Sequence, residues 1–304
     1  MSGRDHTWGA ACAILSALGF AGKAVLIKVI YAEAHVDAIT LLALRMLFSM
    51  PFFAWLGWRA ARRHLLQPLT PRDWMALSAM GFLGYYLSSF LDFWALEFIT
   101  AALERIILFT YPTWVLLLSA VFLGKRITGR DVFALSLSSA GIVVIFWNDL
   151  RLAGSPALMW KGGLLVLAAS LVYSVYLITS GGVIARVGSA RFTPCVSATA
   201  AVFVLSHFLL TRPAKLIMVP PKAAMLCLAL AVFSTVLPIL FLVEALKRVS
   251  AGTVAIASSV GPILTILMGY AFLGEPVTLA QLAGAALVLA GVGWISRPPT
   301  VQPS

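Results

Sequence analysis

The chain has 304 residues, 61% of them hydrophobic and 11% charged, with a mean hydropathy of +0.99. That balance leaves too few polar residues to cover a water-soluble domain of this size, so lipid is the expected solvent of the surface. The net charge of +11 would suggest nucleic acid in a soluble chain, but Lys and Arg gathered in the links between apolar runs account for it, and no nucleic-acid partner is expected.

The apolar runs are long and continuous rather than alternating, which favours helices over barrel strands. A bilayer crossing takes about 20 mostly apolar residues. Ten segments qualify: Trp8–Ile30, Ala38–Gly57, Asp73–Leu96, Ala101–Leu123, Asp131–Trp147, Lys161–Ser180, Phe192–Thr211, Ala223–Leu246, Ala251–Leu273 and Leu279–Ser296. The first run is longer than a signal-peptide core and contains Lys23, so it is expected to stay as a helix. Links such as Gly154-Ser155-Pro156, Pro220-Pro221 and Gly274-Glu275-Pro276 carry helix-ending residues. With the N-terminus inside, thirteen Lys and Arg fall in links on that side and five on the other; Lys23, Lys28, Arg45 and Arg105 fall within helices. The bias predicts a multi-pass protein of the bacterial inner (cell) membrane with both termini cytoplasmic.

The chain repeats itself. At a shift of 150 residues, Leu87–Gly141 matches Leu237–Gly291 with 14 identities over 55 positions. Pro112 pairs with Pro262, Gly124 with Gly274, Thr128 with Thr278 and Gly141 with Gly291. Two repeats, residues 1–150 and 151–304, would hold five helices each. An odd number inverts the second copy, giving an all-α membrane protein of two inverted five-helix repeats. Secondary transporters commonly use that plan, with the solute site near mid-membrane.

The repeated residues carry a family resemblance. Gly19-Phe20, Ile27-Lys28, Leu42-Ala43-Leu44-Arg45-Met46, Thr100-Ala101-Ala102, Pro112 and Phe122-Leu123-Gly124-Lys125-Arg126-Ile127-Thr128 stand in the first half. Ser250-Ala251-Gly252, Gly261-Pro262 and Phe272-Leu273-Gly274-Glu275-Pro276-Val277-Thr278 answer them in the second. The sequence resembles the drug/metabolite transporter (DMT) superfamily, specifically its EamA-type ten-helix exporters. The resemblance implies export of amino acids, related metabolites or amphipathic drugs without ATP. Lys125 departs from the Glu that the second copy has at 275.

Charges inside the spans mark candidate site residues, because burying them in lipid is costly. At 1.5 Å per residue, Lys23 stands roughly 22 Å along the first helix from Trp8. Asp92, Glu104 and Arg105 fall at a similar level. Their repeat mates, Tyr176 at the shift of 153 that matches the starts of the halves and Leu242, Val254 and Ala255 at 150, are uncharged, so the scaffold does not require charge there. Asp92 or Glu104 would accept a proton or an amine, which allows proton coupling; Lys23 or Arg105 would face a carboxylate. A purely structural ion-pair cluster, or a Glu104-Arg105 step that simply reaches interfacial water, stays open as the alternative. Lys28 is expected to reach the interface, and Arg45 to pair with Glu33 or Asp37. Tyr85, Tyr86, Tyr111, Tyr173 and Tyr176 are expected to line a wet cavity that satisfies their hydroxyls. Pro112 and Pro262 are expected to bend their helices, as hinges or fixed kinks.

The chain lacks His-Glu-x-x-His, Gly-x-Ser-x-Gly and Walker motifs, so neither an enzyme nor an ATP-driven pump is expected. Cys12, Cys195 and Cys227 have no metal-ligand spacing, and no metal or cofactor is expected. The expected partners are a small-molecule substrate and the lipid bilayer. The sequence leaves monomer and homodimer open, as it does a facilitative channel or an accessory subunit without transport of its own. The small residues of the fifth and tenth spans, among them Gly141 and Gly284, are expected to pack within the bundle.

Overall fold

The computed structural model describes residues 3–62, 68–124, 126–152, 154–249, 254 and 260–295. Lys125, Ser250, Ala251, Gly252 and Ala255 lie outside the described residues. The elements are α1 (Gly3–Ala34), α2 (Ala38–Ala61), α3 (Pro71–Met80), α4 (Ser88–Ala95), α5 (Ala101–Leu108), α6 (Tyr111–Leu123) and α7 (Gly129–Leu152). They continue with α8 (Pro156–Val187), α9 (Ser189–Thr211), α10 (Pro221–Ala231), α11 (Leu237–Leu246), α12 (Gly261–Leu273) and α13 (Leu279–Ile295). No strand occurs among the described residues. Seven helical runs among them are long and apolar enough to cross a membrane, and Gly261–Leu273 and Leu279–Gly291 are shorter apolar helices.

Local chemistry sets the boundaries. Asp37 accepts from the Thr40 N–H at 3.3 Å and starts α2. Thr70 and Asp73 bond each other reciprocally and start α3. Thr100 accepts from the Leu103 N–H at 3.1 Å and starts α5. Pro112 and Pro262 occupy the first turns of α6 and α12, where a missing N–H costs nothing. In the first copy Pro112 thus follows a break in the helix, the Phe109-Thr110 step after α5.

The halves share their irregularities. A π-helical segment, Gly81–Leu87, joins α3 to α4, and another, Val232–Val236, joins α10 to α11, 150 residues on. Gly124 and Gly274 end α6 and α12 with φ of 66° and 65°, a left-handed cap that glycine adopts without a Cβ penalty. Next comes a capping pair in each copy: Thr128 with Asp131, and Thr278 with Gln281. These backbone needs explain why Gly and Thr recur at these places.

Packing pairs the copies crosswise. α1 lies against α11 and α12, as α8 lies against α4 and α6; α2 packs on α9, α7 on α13 and α5 on α12. α7 and α13 approach so closely that a side chain at Gly141 would strike the Gly284 carbonyl, and one at Gly291 the Ala134 carbonyl. One large apolar core joins α1, α2, α4, α9 and α10, and a second joins α5, α7, α8, α12 and α13.

The links gather at two ends. At the first end, Glu33 pairs with Lys222, Asp37 with Arg212, and Glu97 accepts from the Ala38 N–H at 2.9 Å. There too, Glu275 accepts from the Ala101 N–H at 3.0 Å, and Asn148 bonds Thr278. At the second end, Arg186 reaches Asp73 at 3.0 Å, and Gly9 lies against Arg248 and Val249.

Candidate functional site

Polar groups of three helices meet inside the bundle. Lys23 of α1 meets Asp92 of α4, with Nζ 2.6 Å from Oδ2. Glu104 and Arg105 sit on α5, a helix every residue of which is buried but Leu108. Glu104 is 0% exposed and Arg105 6%. The alternative that these two simply reach interfacial water is thereby removed. Arg105 donates through Nη2 to the Phe20 carbonyl of α1. Glu104 lies against Asp92, close enough for a proton shared by the two carboxyls to form a hydrogen bond. Otherwise both Glu104 oxygens, Asp92 Oδ1 and Arg105 Nε have no partner. Leaving buried carboxyl oxygens without partners is expensive.

Next to the charges stands an aromatic wall. Tyr111 of α6 meets Tyr173 of α8 edge-on at 5.5 Å between ring centres, and Tyr173 stacks on Tyr176 at 5.6 Å. Tyr85, in the π segment, meets Tyr176 at 5.9 Å. Four of the five tyrosines singled out in the sequence thus form one chain of rings across α3–α4, α6 and α8. Gly84 lets the Tyr176 ring lie directly on the backbone of the π segment, where a Cβ would collide with it. Tyr86 does not join them. Its neighbour Tyr85 lies on a different face, since successive residues of a helix are rotated about its axis. Tyr86 bonds His207 Nδ1 at 3.0 Å and packs with Phe82, Phe90 and Phe203.

One cation placed by the sequence behaves differently from expectation. Arg45 does not reach Glu33 or Asp37, which are taken by Lys222 and Arg212. It is buried instead over the Phe93 ring, 4.9 Å from its centre. Lys28 donates to the Ile99 carbonyl at 2.7 Å and stands 3.7 Å from Glu275. Glu275 thereby ties α1 and the start of α5 to the link before α13, a role that its loop position in the sequence did not signal. Beside it, Asp149 of α7 accepts from Thr100 and Gln281. A surface cavity of about 390 Å³ opens at this end, lined by Lys28, Tyr31, Ala32, Val36, Leu96 and Glu97. Burial, with Asp37 adding, pushes the Glu97 carboxyl above its usual 4.5, against the bond from Ala38.

No group of three or more His, Cys, Asp or Glu side chains that could hold a metal occurs among the described residues.

The model of the EamA-like transporter family matches twice, at residues 7–147 and 160–297. A Bacillus subtilis (strain 168) protein named "Uncharacterized transporter YcbK" is 32% identical over 292 residues, covering 92% of this chain and 90% of its own. A Streptantibioticus cattleyicolor protein named "Probable terminal-alkyne amino-acid exporter" is 27% identical over 235 residues, 74% of each chain. One solved structure shares the fold at 19% identity, with a TM-score of 0.65 over 95% of this chain and 96% of that one. The chain is a membrane transporter and belongs to the EamA-like transporter family.

Proposed function

We propose that this protein is a secondary transporter that exports small organic solutes, amino acids or related metabolites among them, by alternating access. Ten crossings carry it: the seven long apolar runs, the run from Pro71 to Ala95 that the π segment divides, and α12 and α13. The repeats 1–150 and 151–304 are inverted, both termini are cytoplasmic, and the first end faces outward.

The observation that carries the reading is the crosswise pairing of the two copies around buried, unpartnered charge. α1 stands to α11 and α12 as α8 stands to α4 and α6. Such exchange symmetry gives the bundle two conformations of similar energy, one open to each side. Lys23, Asp92, Glu104 and Arg105 lie on that seam with Tyr85, Tyr111, Tyr173 and Tyr176 as the aromatic wall. Glu104 and Asp92 hold or release the coupling proton. Phe109-Thr110 and the π segments, whose backbone bonding already departs from the α pattern, supply the flexure next to Pro112 and Pro262. The Lys28–Glu275 pair and the Asp149 network close the outward end. The exporter named in Streptantibioticus supports amino acids as the first solutes to try.

The test is counterflow in proteoliposomes loaded with an unlabelled amino-acid mixture. Saturable uptake of a labelled amino acid, lost in Glu104→Gln, supports the reading. Flux that rises without saturation would indicate a channel. No flux from the purified protein with any of these amino acids would indicate an accessory subunit.

A further inference from the structure

The charges of the core do not balance. Lys23, Arg45 and Arg105 are buried or nearly so, and among the described residues only Asp92 and Glu104 stand with them. Even with both carboxyls ionised, one positive charge is left over, and a proton on either adds another. The surplus falls on Arg45. It is 6% exposed, on a turn of α2 whose neighbours Leu42, Ala43, Leu44 and Met46 are all buried. Its Nε has no partner, and among the described residues its guanidinium forms neither a hydrogen bond nor an ion pair; the Arg45 carbonyl accepts from Ser49 Oγ at 2.7 Å. Asp92, the carboxylate whose field reaches it, already bonds Lys23. The Phe93 ring offsets only part of the burial of a full charge. A guanidinium does not shed its proton to escape that cost.

We infer that the core takes an organic carboxylate, a monoanion held by Arg45, and that this ion completes the charge balance. The inference rests on the transporter reading and fixes the charge of its solute. A guanidinium fork matches a carboxylate with two parallel bonds. One surplus charge suits a monoanion, whereas a phosphate monoester would overshoot it. Phe93 and the Tyr85–Tyr176 pair supply rings on which an apolar tail packs.

The experiment compares four probes of one skeleton by thermal unfolding of the purified full chain: phenylacetate, phenylalanine, phenylacetamide and phenethylamine. Phenylacetate, the amide and the amine differ in charge and hardly in size, and phenylalanine carries a carboxylate and an ammonium together. A ligand that favours the folded state raises the melting temperature. Phenylacetate should raise it most, phenylalanine less, and the amide and the amine not at all. Arg45→Gln should abolish the phenylacetate shift, and Arg45→Lys should keep part of it. Stabilisation by phenethylamine, by phenylalanine alone or by none of the four would overturn the inference, as would an undiminished shift in Arg45→Gln. Should Arg45→Gln fail to fold, the ranking on the natural protein and Arg45→Lys still decide. Amino-acid counterflow without any phenylacetate shift would retain the transporter and refute the anion site.

Discussion

The two copies of the repeat agree where the backbone needs help and disagree where charge is buried. Both have a π segment at the same place, a left-handed glycine after α6 or α12, and a Thr-led cap in the next link. Yet Lys23, Asp92 and Glu104 of the first copy answer to Tyr176, Leu242 and Val254 of the second. A duplicated scaffold keeps what its folding requires. Charge held in one copy only, at a cost to bury, is what the proposed transport would use.

Making the first copy like the second is the strongest way to break this contrast. Asp92→Leu, which imports the residue at 242, leaves Lys23 buried without its partner at 2.6 Å. It should destabilise the protein by about 3–5 kcal/mol and abolish counterflow, both measured on the same preparation. Glu104→Gln is gentler, because the amide keeps the shape. It should leave the melting temperature within a few degrees and lower proton-driven flux by about tenfold or more.

The shared features should respond equally. Gly124→Ala and Gly274→Ala each force a Cβ into a left-handed cap, and each should cost about 1 kcal/mol in denaturant titration. Unequal costs would weaken the structural equivalence of the copies. Adjacent tyrosines sharpen the contrast further. Tyr86→Phe loses the bond to His207 and should cost about 1 kcal/mol of stability. Tyr176→Phe should act mainly on flux, and more strongly than Tyr86→Phe does.

The smallest effect concerns pH. Glu97 has its proton affinity raised by burial, so the folded state favours its protonated form. Stability from this group is present below the unfolded value and declines as pH rises past 4.5 through the folded value. Glu97→Gln should flatten that decline in melting temperature.

Much of this was legible in the chain. Continuous apolar runs announced helices, and the Pro112/Pro262 and Gly124/Gly274 pairs announced the duplication, because each marks a backbone requirement readable from one residue. The meeting of Lys23 with Asp92 was legible as a common level along helices of known rise. The π segments were not, since Gly81–Leu87 reads as ordinary apolar helix and the extra residue per turn is imposed by packing. Tyr85 and Tyr86 looked alike in sequence; only the rotation of the helix separates them. Arg45 was misassigned because Glu33 and Asp37 were near in sequence. Their partners, Lys222 and Arg212, come from the other half and could not be foreseen from spacing.

The central claim is that the second copy is inverted, which five crossings per copy require. Labelling of the Gly154→Cys variant by an impermeant maleimide, in a background with Cys12, Cys195 and Cys227 replaced and tags on both termini, tests it most directly. The account predicts that the thiol introduced by Gly154→Cys reacts in intact cells while both tags stay protected until the membrane is opened. Protection of that thiol together with the tags would contradict it.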